Sequence, residues 1–379
     1  MDFALTEDQQ IFQRMVRDFA TNELQPVAAQ VDEEEKFPAE NIRKIAELGL
    51  MGVSISEEYG GSGGDAIHLV IATEEIARAC ASTSTVYLAS LSLACYPIYM
   101  FGTDDQKKRF VVPVAKGQKL ACFALTEPGA GSDAAAIQTA ATPKGDHYVL
   151  DGTKVFITNG AEADIAVVFA TTNKSLRHRG IVSLIVEKGT PGFSVGKKER
   201  KLGIRGSSTA ELVFENCHVP VGNRLGGEGG GFKVAMGAID ASRINVAAQA
   251  VGIARAGLEA SLAYAKDRQQ FGQPIAGFQA VQWMLADMAT YVDAARLLTY
   301  RAAYLKNQGL PYLKEAAMAK LFAAEAAMSI TTKAVQIHGG YGYIKDYPVE
   351  RYFRDAKITE IYEGTSEMQR MTIARQLIG

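Results

Sequence analysis

Cysteine is sparse: the chain holds only four, Cys80, Cys95, Cys122 and Cys217. They lie far apart, mostly among apolar neighbours, and form no CxxC or Cys/His ligand spacing. A disulfide framework and a metal site are therefore not expected, and the four read as buried thiols in a reducing compartment. A surplus of positive charge is also missing. Lysine plus arginine number 40 against 42 acidic residues, for a formal charge of −2 with no basic block, so nucleic acid is not an expected partner. No apolar run approaches the roughly 18 residues that a membrane span needs. Met1 to Asp8 carries acid where a secretory leader carries base, so a cytoplasmic protein without a membrane span is the default.

Phosphate-loop signatures are lacking as well. Gly196-Lys197 has Pro191 where the first glycine of a Walker A loop would stand. Gly61-Ser62-Gly63-Gly64-Asp65-Ala66 fits GxGxxA, but no second strand ending in an acidic residue follows roughly 20 residues on. Ala72 to Ala79 simply continues a helical pattern, so this loop reads as a glycine-rich turn. Internal repeats and low-complexity tails are absent.

What is present divides the 379 residues by pattern, and that length exceeds one core. Thr6 with Gln9 makes a capping box ahead of Ile11, Phe12, Met15, Val16 and Phe19 at helical spacing. Pro38 is suited to a first helical position, and further helical patterns cover 66–79, 82–101 and 104–117. Residues 1–117 thus read as an all-helical domain. From Lys119 the character changes to short β-branched and aromatic runs at 120–125, 147–150, 154–158, 165–170, 181–186 and 210–214. Asp151-Gly152, Asn159-Gly160 and Pro191-Gly192 are the turn signals between them, giving an antiparallel β domain, a small barrel or sandwich, over 118–226. After the glycine run at 226–231, long periodic segments at 232–266, 278–308 and 312–337 plus a short last helix predict an antiparallel four-helix bundle over 227–379. The fold class is α+β.

The chemistry is placed at Ile361-Tyr362-Glu363-Gly364-Thr365-Ser366-Glu367-Met368-Gln369. Ser366 with Gln369 has capping-box spacing, which puts Glu363 in the loop before the helix. Walled by Ile361 and Tyr362, its carboxylate would be partly desolvated and its pKa raised toward that of a useful base. Gly364 lets the backbone approach a ligand, so base and oxyanion donor would stand on consecutive residues. An ordinary capped surface helix with a solvated glutamate has the same local sequence.

Five segments in order resemble the signatures of the acyl-CoA dehydrogenase family of flavoproteins, across essentially the whole chain: residues 121–133, 156–160, 267–272, 336–340 and the Glu363 stretch. The resemblance implies FAD held by Phe123, Leu125, Thr126, Gly131 and Ser132 with Phe156, Ile157 and Thr158. It further implies that Arg268, Phe271, Gln279, Gln336, Gly339 and Gly340 reach FAD across a subunit interface of a homotetramer, a dimer of dimers. Thr365 and Glu367 are assigned to the cofactor too. Asp240 and Arg243 have the spacing of an intrahelical ion pair; by resemblance they and Ser132 contact the CoA part of the substrate, with Gly364 at its carbonyl.

The implied reaction is α,β-dehydrogenation of a short- to medium-chain acyl-CoA, linear or branched. Glu363 removes the α-proton, the β-hydrogen leaves as hydride to the flavin, and the electrons pass to electron-transfer flavoprotein. Some relatives carry the base immediately before the residue matching Arg243; here Ser242 stands there and cannot serve, which favours Glu363. Phe156 replaces the tryptophan of many members. An acyl-CoA oxidase and a non-catalytic acyl-CoA-binding bundle are the competing readings.

Overall fold

A computed structural model describes residues 4–379; Met1 to Phe3 lie outside it. Helix α1 (Glu7–Phe19) starts at the expected capping box, with Thr6 and Gln9 satisfying each other's backbone. Short helices α2 (Ala28–Glu33) and α3 (Ala39–Glu47) follow, and Pro38 precedes the first helical residue rather than occupying it. Helix α4 (Ala66–Ala79) is buried from Leu69 to its end. The glycine-rich segment before it is a packing turn: a Cβ on Gly61 would lie 2.1 Å from the Ile55 carbonyl oxygen, and Asp65 accepts the N–H groups of Ile67 and His68 as the N-cap. Helix α5 (Ala81–Phe101) is, among the described residues, the one helix long and apolar enough to cross a membrane, and most of it is buried inside the protein. Residues 104–115 form α6, opened by a Thr103/Gln106 capping box.

The middle of the chain folds into strands β1 (Ala121–Ala124), β2 (Ala140–Lys144), β3 (His147–Thr158), β4 (Ile165–Thr171), β5 (Ile181–Glu187), β6 (Phe193–Lys198), β7 (Thr209–Pro220) and β8 (Arg224–Leu225). They make one sheet in the order β6-β7-β3-β2-β4-β5-β8, with β1 added beside β4. Two expectations are corrected here. The sheet is not wholly antiparallel: β1 enters from the helical domain without a hairpin and pairs parallel to β4, Ala121 opposite Ile165, and β2 meets β4 in parallel at Ala140 and Thr171. Asp151-Gly152 is not a turn: β3 runs through it, and the pairing with β7 shifts register between Leu150 and Gly152. Gly152 sits there at φ 150°, where a Cβ would press within 2.6 Å of the Thr139 hydroxyl, so this glycine marks a bulge.

Helix α7 (Gly231–Asp267) spans 37 residues, about 55 Å of rise. Between it and the next helix, β9 (Gln269–Gln270) and β10 (Gln273–Pro274) form a small ribbon. Helices α8 (Gln279–Asn307), α9 (Leu313–His338), α10 (Val349–Ala356) and α11 (Ser366–Ile378) complete the chain; α10 was not legible as a separate element. The α7, α8 and α9 core is built largely on alanines such as Ala247, Ala250, Ala254, Ala319, Ala323 and Ala327, which let helix axes approach closely.

Through this core runs a buried ionic network. Glu74 accepts Arg255 at 2.6 Å and Arg296 at 2.8 Å, and Glu75 accepts Arg255 at 2.9 Å and Arg17 at 3.1 Å, tying α4 to α1, α7 and α8. Burial alone would raise the Glu74 pKa, but Arg296 and Arg255 more than offset it and hold the carboxyl below its ordinary value. Glu74→Leu removes the carboxylate that buried Arg255 and part-exposed Arg296 share, leaving Arg255 with Glu75 and Glu259 and Arg296 with Asp293, and is expected to destabilise the protein by about 3 kcal/mol in urea unfolding at neutral pH. An unchanged midpoint would show that the network carries no net stability.

Candidate active site

The segment before α11 makes an irregular turn with two residues in the left-handed region, Glu363 at φ 53° and Gly364 at φ 94°. Three hydrogen bonds from two side chains hold it. The Gln369 side chain donates to the Gly364 carbonyl at 2.8 Å and to the Glu363 carbonyl at 3.3 Å, and Lys320 of α9 donates to the Gly364 carbonyl at 2.7 Å. A Cβ on Gly364 would meet the Gln369 amide nitrogen at 2.8 Å, so only glycine fits. The expected capping box is corrected. Thr365, with extended backbone, is the N-cap and accepts the Met368 N–H; Ser366 is already helical, and Gln369 is spent on the turn. Thr365 also donates to Glu367, holding that exposed carboxyl below its usual value.

Glu363 keeps some accessible surface as a residue, yet its Oε2 is buried without a hydrogen-bond partner. Burial pushes the carboxyl up to about 7, against the opposing hydrogen bond from Ser242 and the charges of Lys320 and Arg243. The expected desolvation is present, but its walls differ. Ile361 is half exposed, whereas the polar neighbours of Glu363 come from α7 and α9. Tyr362 points away and donates to Gln249 of α7. The backbone N–H groups of Glu363 and Gly364 meet no acceptor among the described residues.

One helical turn back along α7 from Arg243, Asp240 pairs with it at 2.9 Å, and both are pinned near the turn: an Arg243 terminal nitrogen lies 3.8 Å from the Cβ position of Gly364. Arg243 Nε is buried without a partner. Asp240 also lines a cavity of about 410 Å3 with Phe101, His178, Phe232 and Lys233. Ser132 is exposed and outside that lining, though its neighbour Asp133 binds Arg177 at 2.9 Å beside His178.

The β-domain residues cluster around the 125–133 loop. The Thr126 carbonyl accepts the Val155 N–H at 2.9 Å. Lys154, fully buried, donates to the Leu125 carbonyl at 3.0 Å and to Glu127 at 2.7 Å; Glu127 in turn accepts the N–H groups of Gln138 and Thr139. Sequence reading missed this pair, for a lysine in an alternating strand reads as solvent-facing. Phe123 packs on Phe169, Ile157 is buried and Thr158 half-buried. Phe156, at φ 58°, lays 64% of its surface open. Gly131 has open space around it.

A second cavity, about 450 Å3, is lined by Tyr264, Arg268, His338, Gly339, Gly340 and Tyr341 among others. Arg268 has no acidic partner among the described residues and sits 5.5 Å from the Tyr341 ring. Gly339 and Gly340 have nothing within contact of a would-be Cβ. None of residues 123–158 lines this cavity, and Phe271, Gln279 and Gln336 are exposed outside its lining. This cavity therefore gathers Arg268, Gly339 and Gly340 without any of the expected β-domain residues. Each group fits its part of FAD: an open aromatic and two threonine hydroxyls suit a polar aromatic ring, and an unpaired guanidinium beside two open glycines suits a diphosphate.

A helical, β and helical layering with a desolvated carboxylate beside free N–H donors defines a class of enzyme equipped for proton abstraction next to a carbonyl. Family models narrow it: acyl-CoA dehydrogenase N-terminal domain matches residues 6–118, middle domain 122–217 and C-terminal domain 229–378. The chain belongs to the acyl-CoA dehydrogenase family, and is an oxidoreductase. It is similar to the short-chain specific acyl-CoA dehydrogenase of Clostridium acetobutylicum, 53% identical with all of both chains covered. Acryloyl-CoA reductase (NADH) of Anaerotignum propionicum is 52% identical, covering 100% of this chain and 96% of that one. The structure of butyryl-CoA dehydrogenase from Megasphaera elsdenii superposes with a TM-score of 0.98 at 48% identity over all of both chains.

Because burial raises the Glu363 pKa from 4.5 to about 7, the native state holds a proton that the unfolded chain has lost between those values. Stability attributable to this residue therefore falls as pH rises through that window. Glu363→Gln removes the penalty: thermal melting should show variant and parent alike near pH 4 and the variant more stable above pH 7, by on the order of 3 kcal/mol. A difference that does not change with pH would place Glu363 in solvent.

Proposed function

We propose that the chain catalyses FAD-dependent α,β-dehydrogenation of a short-chain acyl-CoA to the trans-2-enoyl-CoA, with Glu363 as the base. The observation that carries this reading is the Glu363-Gly364 turn itself, where an unpartnered, desolvated carboxylate oxygen stands next to two N–H groups with no acceptor. A thioester carbonyl placed on those donors gains acidity at its α-carbon as the carboxylate takes the proton. Bound FAD supplies the acceptor for the β-hydrogen. Thr126, Thr158 and Phe156 would hold its ring, and Arg268 with Gly339 and Gly340 its diphosphate. Asp240 and Arg243 would bind and orient the CoA arm, which lies along α7 toward the cavity at Phe101 and His178.

Chain length follows from a polar floor. Gln249 lies seven residues beyond Ser242, about 10 Å along the same face of α7. It is fully buried and bonded to Thr85 at 2.8 Å and to Tyr362. An alkyl chain running past Glu363 along α7 would meet these bonded polar groups, which favours butyryl over octanoyl thioesters.

A second copy would complete the cofactor site, since the Arg268 cavity contains none of residues 123–158. Around that end Phe271 is 93% exposed and Trp283 on α8 is 65% exposed, apolar surface suited to a partner. A homotetramer arranged as a dimer of dimers is the assembly we propose, with electron-transfer flavoprotein as acceptor and the cytoplasm as location. The likeness to a protein named acryloyl-CoA reductase keeps the reverse direction as the second reading.

Anaerobic titration with butyryl-CoA should bleach the flavin absorbance within one equivalent and more completely than octanoyl-CoA at equal concentration. Glu363→Gln should slow bleaching by a factor of about 10³ or more, while an equally fast variant would move the base elsewhere. Light scattering should give a tetramer that binds FAD, and Arg268→Met should weaken FAD binding by about 10-fold or more; a monomer with full flavin content would contradict the shared site.

A further inference from the structure

One buried cation has no part in the proposed chemistry. Lys320 lies on α9, wholly buried in a helix otherwise packed with alanine. Its single hydrogen bond goes to the Gly364 carbonyl, one of the two carbonyls that define the left-handed turn. Burying an ammonium without a salt bridge is costly, so the position asks for an explanation beyond packing. Among the described residues no carboxylate lies within ion-pair distance of it. The charges that it feels, in order of effect after its own burial, are Glu363, Arg243, Glu360 and Glu367.

We infer that Lys320 is the positioning residue of the base: its ammonium locks the carbonyl of Gly364, fixing the turn that aims Glu363, and its charge favours the ionised carboxylate. The inference rests on the reading of Glu363 as the base. Two features support it. First, the Gly364 carbonyl receives two donors, Lys320 and Gln369, at 2.7 and 2.8 Å, while the N–H groups of Glu363 and Gly364 meet no acceptor among the described residues. Second, the groups around Glu363 are unequal in kind. From α7 come the Ser242 hydroxyl and the Arg243 guanidinium, the latter already engaged by Asp240 at 2.9 Å. From α9 comes Lys320 alone, with no carboxylate of its own. Unlike Arg243, Lys320 makes no ion pair among the described residues, and Glu360 and Glu367 act on it only from beyond ion-pair distance. Burial, in turn, brings the ammonium down to about 8, so the cation and the carboxylate overlap in the range where the base must work.

The test separates clamp from charge with FAD-loaded protein. Single-turnover flavin reduction by butyryl-CoA is followed anaerobically from about pH 5 to about pH 9, where the acid limb reports the base. Lys320→Met removes both donor and charge and should move that limb up by about one pH unit or more, with FAD affinity unchanged. Gln369→Met also loosens the turn but removes no charge; it should lower the rate at every pH and leave the limb in place. If Lys320→Met does not yield folded protein, Lys320→Gln, which keeps a donor and loses the charge, carries the same comparison and the same expected shift. A limb that stays at the parent position in the Lys320 variant, with only a uniform loss of rate, overturns the inference and leaves Lys320 a structural residue. Failure of the parent protein to bleach with butyryl-CoA would instead strike the proposed function.

Discussion

The structure depends on keeping one carboxylate largely away from water with one of its two oxygens unpaired. Glu363 is buried at its Oε2, and the folded chain supports that cost with a turn fixed from outside. The turn requires positive φ at both Glu363 and Gly364, a conformation that a residue with a side chain resists. It persists because Gln369 and Lys320 hold its carbonyls and because α11, capped by Thr365, fixes its exit. The long helix α7 supplies the other side, presenting Ser242 and Arg243 to the carboxylate and Gln249 to its neighbour Tyr362. A strained turn and an unsatisfied acceptor gathered in one place mark where stability has been given up for chemistry.

Rigidity elsewhere makes this possible. Glu74 and Glu75 bind arginines from three other helices, so the helical domains behave as one packed body along α7. In the β domain the buried Lys154 and Glu127 pair performs a comparable task, gripping the Leu125 carbonyl and the backbone at Gln138 and Thr139. Both networks are buried ion systems whose partners cannot be removed singly without leaving a bare charge. They hold fixed the surfaces on which a ring and a thioester would lie.

The fold was largely legible because its elements are long and periodic. The α7, α8 and α9 helices and the strands β4 and β5 announce themselves by spacing alone. What was misread shares one cause, that local signals carry no information about distant partners. Asp151-Gly152 is a common turn dipeptide, but β7 supplies a strand for β3 to pair with on both sides of it. Strand β1 could not be known as parallel because its partner β4 comes about 40 residues later. Ser366 and Gln369 have the spacing of a capping box, yet the carbonyls of the preceding turn claim Gln369 instead. The desolvation of Glu363 was legible, though the sequence ascribes it to Ile361 and Tyr362; Lys320 and Lys154 were not, since a lysine within a helix or strand gives no sign of burial. The division of the expected cofactor residues into two groups had no sign in residue spacing and came only from the resemblance.

The central claim is that Glu363 takes the α-proton of a bound thioester. The most direct measurement is deuterium entry at the α-carbon of butyryl-CoA in heavy water, followed by mass spectrometry with the FAD-loaded parent protein and with Glu363→Gln. The account predicts α-deuteration by the parent and none by the variant above the rate in buffer alone. Equal exchange in both proteins would contradict it.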